Sequence, residues 1–103
     1  MKDLERIAGL VGLARKAGNL VIGSDAVEKA LRQRKILALI CAEDASLLTI
    51  GKLQRTSSAD EVPFFHLFSR DELGRMTGRE TLAVLGVIDQ SFADAIKRLV
   101  EQV

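Results

Sequence analysis

Residues Ile36 to Ala42 form an unbroken apolar run bounded by charge on both sides: Arg34 and Lys35 precede it and Glu43 and Asp44 follow it. A strand with one face in water alternates apolar and polar residues, so an unbroken run describes a strand buried on both faces. Such a strand needs helices above and below its sheet, and the rest of the chain supplies them. Leu4, Ile7, Val11 and Ala14, widened by Leu10 and Leu13, predict a first helix from Leu4 to Ala17. Gly9 and Gly12 within it lower helix propensity and point to close packing against the sheet. Gly18 is its C-terminal cap. Leu20 to Ile22 is a short strand and Ser24 to Arg34 a second helix.

After the central run, Asp44 or Ser46 can cap a third helix, Leu47 to Thr56, with Leu47, Ile50 and Leu53 turned inward. Thr56 to Val62 is polar and turn-like. Pro63 opens a short aromatic strand, Phe64 to Phe68, a place where proline is tolerated. Ser69 caps a short fourth helix with Asp71 and Glu72 in its first turn. Gly74 and Gly78 then mark a loop from Leu73 to Glu80 that carries Arg75 and Arg79. Thr81 to Ile88 is a further strand. Asp89-Gln90-Ser91 caps a last helix whose inward face is Phe92, Ala95, Ile96, Leu99 and Val100. Strict alternation of helix and strand is the pattern of an α/β sheet enclosed by helices.

The chain has 103 residues, the size of one domain, and can bury a core without covalent staples. Cys41 is the only cysteine, so no internal disulfide forms, and its place in the apolar run describes a small buried hydrophobe. No apolar run approaches the length of a membrane span. Met1 to Arg6 carries charges where a secretory signal needs an apolar stretch, so a cytoplasmic protein is expected.

The stretch from Asn19 to Leu31 is the candidate for function. A strand ends at Gly23 and a helix begins at once. Ser24 and Asp25 are both suited to capping it, and Asp25 with Glu28 has the spacing of a capping box. Backbone N–H groups at such a corner attract phosphates. Basic residues surround it: Arg15 and Lys16 before, Lys29, Arg32, Arg34 and Lys35 after. Net charge is only +1, yet residues 1–35 are basic and the remainder is net acidic, which suggests a local polyanion site. A capped helix with a solvated basic rim would have the same residues.

Other chemistries find less support. His66 is the only histidine and lies in the aromatic strand, so a zinc site of ordinary spacing cannot be built with one His and one Cys. Gly18 to Gly23 lacks the glycine spacing and Lys-Ser/Thr pair of nucleotide-binding loops. Glu43 and Asp44 after one strand, with Asp89 after another, are the one enzymatic alternative: carboxylates at strand ends can hold Mg²⁺ for phosphoryl transfer. Such residues also cap helices. There is no Trp or Tyr, and the phenylalanines at 64, 65, 68 and 92 read as core rather than as a stacking platform for single strands.

Four fragments in order carry a resemblance: Gly12 to Asn19, Gly23 to Ala30, Ala42 to Ser46 and Leu73 to Gly78, with Asp89 to Ala93 closing the series. Together they resemble the L7Ae/L30e family of ribosomal kink-turn-binding proteins, in its bacterial ribosome-associated branch, over nearly the whole chain. The resemblance implies a three-layer α-β-α sandwich with a mixed sheet of about four strands. It implies binding of kink-turns, sharply bent RNA elements with tandem sheared G·A pairs. The N-terminus of the second helix would enter the widened groove, with Gly23, Ser24 and Asp25 at the RNA. Lys29 would reach a guanine edge. Arg79, Glu80 and Thr81 would cover the looped-out nucleotides, and Arg15, Lys16, Arg32 and Arg79 would mainly contact phosphates. The implied partners are structured rRNA and the large ribosomal subunit, with no DNA, no membrane, no cofactor and no metal, and a monomer when free. One departure stands out. Archaeal and eukaryotic members carry Asn-Glu where this chain has Asp25-Ala26, which removes an amide donor and a side-chain acceptor and weakens guanine readout.

Overall fold

The computed structural model describes residues 2–102. Its elements are α1 (Lys2–Lys16), β1 (Leu20–Ile22), α2 (Ser24–Arg32), β2 (Ala38–Cys41), α3 (Leu47–Ala59), β3 (Phe64–His66), α4 (Arg70–Met76), β4 (Val84–Val87) and α5 (Gln90–Glu101). The sheet order is β1-β4-β2-β3. β4 runs antiparallel to both neighbours, with Leu20 opposite Val87 and Leu39 opposite Gly86, and β2 runs parallel to β3, with Ile40 opposite Phe65. The sheet is therefore mixed and four-stranded, as the resemblance implies.

Every residue of β2 and of β4 is buried. Alternate side chains of a strand point to opposite faces, so both faces of the sheet centre are covered. The helices fall into two sets: α1 packs on α4 and α5, and α2 packs on α3. Ile7 and Val11 of α1, Leu39 and Ile40 of β2, Leu31 of α2 and Ile96 of α5 belong to one continuous core. The buried hydroxyls of Ser57 and Thr77 bond back to carbonyls of their own helices, at 3.1 Å to Gln54 and 2.8 Å to Leu73.

Local chemistry explains most boundaries. Gly18, at φ 75°, ends α1, and the Asn19 N–H reaches back to the Ala14 carbonyl at 2.8 Å. Ser46 Oγ accepts from the Thr49 N–H at 3.2 Å at the start of α3. Ser69 and Glu72 form a reciprocal capping box on α4. Asp89 Oδ2 accepts from the Phe92 N–H at 3.0 Å at the start of α5.

Several expectations are corrected. The fourth helix continues through Leu73–Met76, so only residues after Thr77 form the loop. α3 extends to Ala59, beyond the expected Thr56. Leu47 does not face inward: it is 86% exposed, because Leu53 and Ser57 define the buried stripe and Leu47 falls outside it. Gly9 and Gly12 do not mediate close packing, since a methyl group at either would meet nothing within 4 Å. The close approaches occur at Gly74, against the backbone of Arg79 and Glu80, and at Gly86, against Ile36.

Candidate nucleic-acid interface

The strand directions decide what can meet. β1, β2 and β3 run the same way and β4 the opposite way, so the C-terminal ends of the first three lie beside the N-terminal end of β4. Hydrogen bonds tie this end together: the Gly23 N–H donates to the Val84 carbonyl at 3.1 Å, Ala42 to Ala83 at 2.8 Å, and Glu43 to Phe68 at 2.8 Å. The β1–α2 corner and the segment leading into β4 are thus neighbours, although 60 residues separate them in a chain of 103.

Of the four helices that follow a strand, α3, α4 and α5 are capped by a side chain and α2 is not. Its N-cap is Gly23, at φ 97° and ψ 153°. Neither Ser24 nor Asp25 caps it, which corrects the expectation. Asp25 and Glu28 form no capping box, because the Glu28 carboxylate is drawn away along the helix and across to α3. It lies 2.8 Å from the Arg32 guanidinium and 3.1 Å from the Lys52 ammonium. The Lys52 hydrogen bond and charge, followed by those of Arg32, hold the Glu28 carboxyl below the usual carboxylate range against the opposing effect of burial. The Val27 N–H is the first to bond within the helix, donating to the Gly23 carbonyl at 2.9 Å. The N–H groups of Ser24, Asp25 and Ala26 have no protein acceptor among the described residues. Open space surrounds the missing side chain of Gly23. The backbone conformation belongs to a region only glycine occupies readily, so a close approach is built in.

The other candidate residues divide into near and far. Arg79, Glu80 and Thr81 are exposed in the loop between α4 and β4. That loop is fixed at both ends: the Arg79 N–H donates to the Gly74 carbonyl at 2.8 Å and the Leu82 N–H to the Arg70 carbonyl at 3.0 Å. Arg15 reaches it from α1, with its guanidinium over Gly78, where an added methyl would lie 2.6 Å from a terminal nitrogen. Lys29 is exposed, one turn along α2 on the face of Asp25, and has no ion pair among the described residues. Lys16 is exposed in the last turn of α1. Arg32 lies about 12 Å along the helix axis from Ser24 and is paired with Glu28, so it stands apart from the corner at the far end of α2.

Leu48 and Lys52 were missed from sequence. With Ser24, Asp25 and Glu28 they line a hollow of about 180 Å³ between the starts of α2 and α3. The adjacent pair Leu47-Leu48 was the available signal, since two neighbouring residues cannot both lie in one narrow helical stripe.

The carboxylate alternative loses its geometry. Glu43 and Asp44 follow β2 and lie at the Gly23 end of the sheet. Asp89 follows β4, which runs the other way, and lies at the far end. Asp44 is engaged with Arg70, accepting its backbone N–H at 2.8 Å, and Asp89 caps α5. Among the described residues no group of three His, Cys, Asp or Glu side chains is placed to hold a metal ion. No helix among them is long and apolar enough to cross a membrane. His66 is exposed, edge-on to Phe64 with ring centroids 5.0 Å apart.

Comparison with known proteins agrees with this architecture. Residues 5–97 match the model of the ribosomal protein L7Ae/L30e/S12e/Gadd45 family. The chain belongs to this family. Among its relatives, the RNA-binding protein YlxQ of Enterococcus faecium is 37% identical over 97 residues, covering 94% of this chain and 93% of that protein. The RNA-binding protein YlxQ of Bacillus subtilis is 36% identical over 92 residues, covering 89% and 92%. Among solved structures, a protein of unknown function from Bacillus halodurans C superposes with a TM-score of 0.89 at 29% identity, over 92% of this chain and 96% of that one. The Giardia lamblia 15.5kD RNA binding protein shares this fold, with a TM-score of 0.84 at 18% identity, over 100% and 88% of the two chains.

Proposed function

We propose that this protein binds structured RNA through the β1–α2 corner, and that its target is a kink-turn or similar bend in rRNA of the large ribosomal subunit. The observation that carries the reading is the uncapped start of α2: unpaired N–H groups, a glycine-only backbone turn and open space beside it. These are donors for a phosphate or base edge, with room for a backbone to come close. Relatives named as RNA-binding proteins support the broad reading. Under it, Gly23, Ser24 and Asp25 meet the RNA, Lys29 reaches a guanine edge, and Arg79, Glu80 and Thr81 lie against the unstacked nucleotides. Lys16 contacts phosphate, and Arg15 does so while braced on Gly78. The protein acts as a non-catalytic, cytoplasmic component of a ribosomal particle.

The test is titration of a kink-turn RNA against the same RNA with its G·A pairs replaced, at two salt concentrations. A preference for the intact kink-turn that survives higher salt supports specific reading. Equal binding that disappears with salt leaves a basic patch alone and overturns kink-turn recognition. Lys29→Ala is expected to cost about 1–3 kcal/mol on the intact kink-turn and less on a duplex. Equal losses on both RNAs would reduce Lys29 to a backbone contact.

A further inference from the structure

Between the first half of α1 and α4 lies a hollow of about 320 Å³, and beside it, between the loop after β2 and the start of α4, one of about 310 Å³; the two share Glu43, Phe68 and Glu72. The floor is apolar: Leu4 and Met76 are half-buried there, and Phe68 closes the base. The rim is acidic, formed by Glu5, Glu43 and Glu72. Asp44 adds a fourth carboxylate at one end, already matched by Arg70. Among the described residues, Glu5 and Glu43 have no ion pair and no lysine or arginine lines either hollow. In a chain of net charge +1 this is a local reversal of sign.

We infer that this groove docks a basic peptide segment of a protein partner, with an apolar side chain on the Leu4–Phe68–Met76 floor and flanking Lys or Arg side chains against Glu5 and Glu43. Charge complementarity selects the occupant. The rim carboxylates repel nucleic acid phosphate, so the occupant is a basic peptide rather than RNA. The apolar floor asks for more than a bare cation, and a methionine side chain adapts to varied apolar partners. The groove is lined by α1, α4 and the loop after β2 and shares no lining residue with the α2 corner. The inference does not depend on the RNA proposal.

The probe is a fluorescently labelled peptide, Lys-Arg-Leu-Arg-Lys, compared with Lys-Arg-Ser-Arg-Lys and Glu-Asp-Leu-Asp-Glu. The first is expected to saturate the full chain and to shift the methyl resonances of Met76, Leu4 and Ala8. The acidic peptide is expected not to bind, and the serine peptide to bind several-fold more weakly. The double variant Glu5→Gln/Glu43→Gln alters two exposed, unpaired carboxylates, so its fold should be unchanged by circular dichroism. It is expected to weaken the leucine peptide by about fivefold, as for the loss of two exposed charge pairs. Titration of the same variant with the kink-turn RNA should match the wild type. Equal affinity for the leucine and serine peptides, full affinity in the double variant, or no saturation up to about 1 mM would each overturn the inference. Displacement of the peptide by low concentrations of spermine, with the same methyl shifts, would overturn it in favour of a polyamine site.

Discussion

Replacing Gly74 by alanine should damage the candidate RNA-facing loop from behind. Gly74 is buried in α4, and a Cβ built on it would lie 2.6 Å from the Glu80 carbonyl oxygen and 2.8 Å from that of Arg79. Both neighbours are backbone atoms, so no rotamer change relieves the overlap. To reach even the 3.0 Å that real Cβ atoms respect, the loop must retreat by at least about 0.4 Å. It is tethered while doing so, by the Arg79 N–H on the Gly74 carbonyl and the Leu82 N–H on that of Arg70. Overpacking of this kind costs about 1–3 kcal/mol. Alanine recovers up to about 1 kcal/mol through helix propensity. The expected net loss is about 1–2 kcal/mol, read in urea as a midpoint lower by roughly 0.5–1.5 M with an unchanged slope. Gly12→Ala is the control: it meets nothing within 4 Å, and it should gain about 0.5–1 kcal/mol. Under the proposed function, RNA affinity should fall in Gly74→Ala and not in Gly12→Ala. A Gly74→Ala protein as stable as the wild type, with the amide resonances of Arg79 and Glu80 in place, would refute the reasoning.

Gly23→Ala should cost about 1–3 kcal/mol from backbone strain alone, because φ is 97° and nothing stands in the way of the methyl group; thermal unfolding at the wild-type temperature would contradict this. Arg34 and Glu61 occupy left-handed positions just past α2 and α3, at φ 58° and 57°. Arg34→Gly and Glu61→Gly are each expected to stabilise by about 0.5–1 kcal/mol in denaturant titrations, a gain that would be missing if their side chains held those turns. Burial pushes the Cys41 thiol up to about 11. Thiol reagents at mildly alkaline pH should therefore label the native protein only through opening, at a rate that climbs with urea in step with unfolding.

Much of the fold is legible locally. The caps at Gly18, Ser46, Ser69 and Asp89 work through bonds between residues three to five apart, so their spacing is already written in the chain. The run from Ile36 to Ala42 declares its own burial, and the alternation of elements around it requires a covered sheet. The Gly23 turn is equally visible as a strand-to-helix junction. Misreadings arise where a distant residue competes with a local partner. Asp25 and Glu28 have capping-box spacing, but Lys52 on α3 draws the Glu28 carboxylate away. Leu47 has the right neighbours for an inward face, yet α3 turns its Leu53 stripe to the core instead.

Sequence by itself determined the α/β class, the central strand, most helix boundaries and the Gly23 turn, because each depends on periodicity, side-chain type or a cap within a few residues. Only the tertiary structure decided which groups share a site. Strand direction brings Gly23 beside Val84 and sends Asp89 to the far end, and packing sets Arg15 over Gly78 and Arg32 against Glu28. These are contacts between residues far apart in the chain or choices among competing partners, and they are settled by how the elements pack rather than by any one segment's own preference.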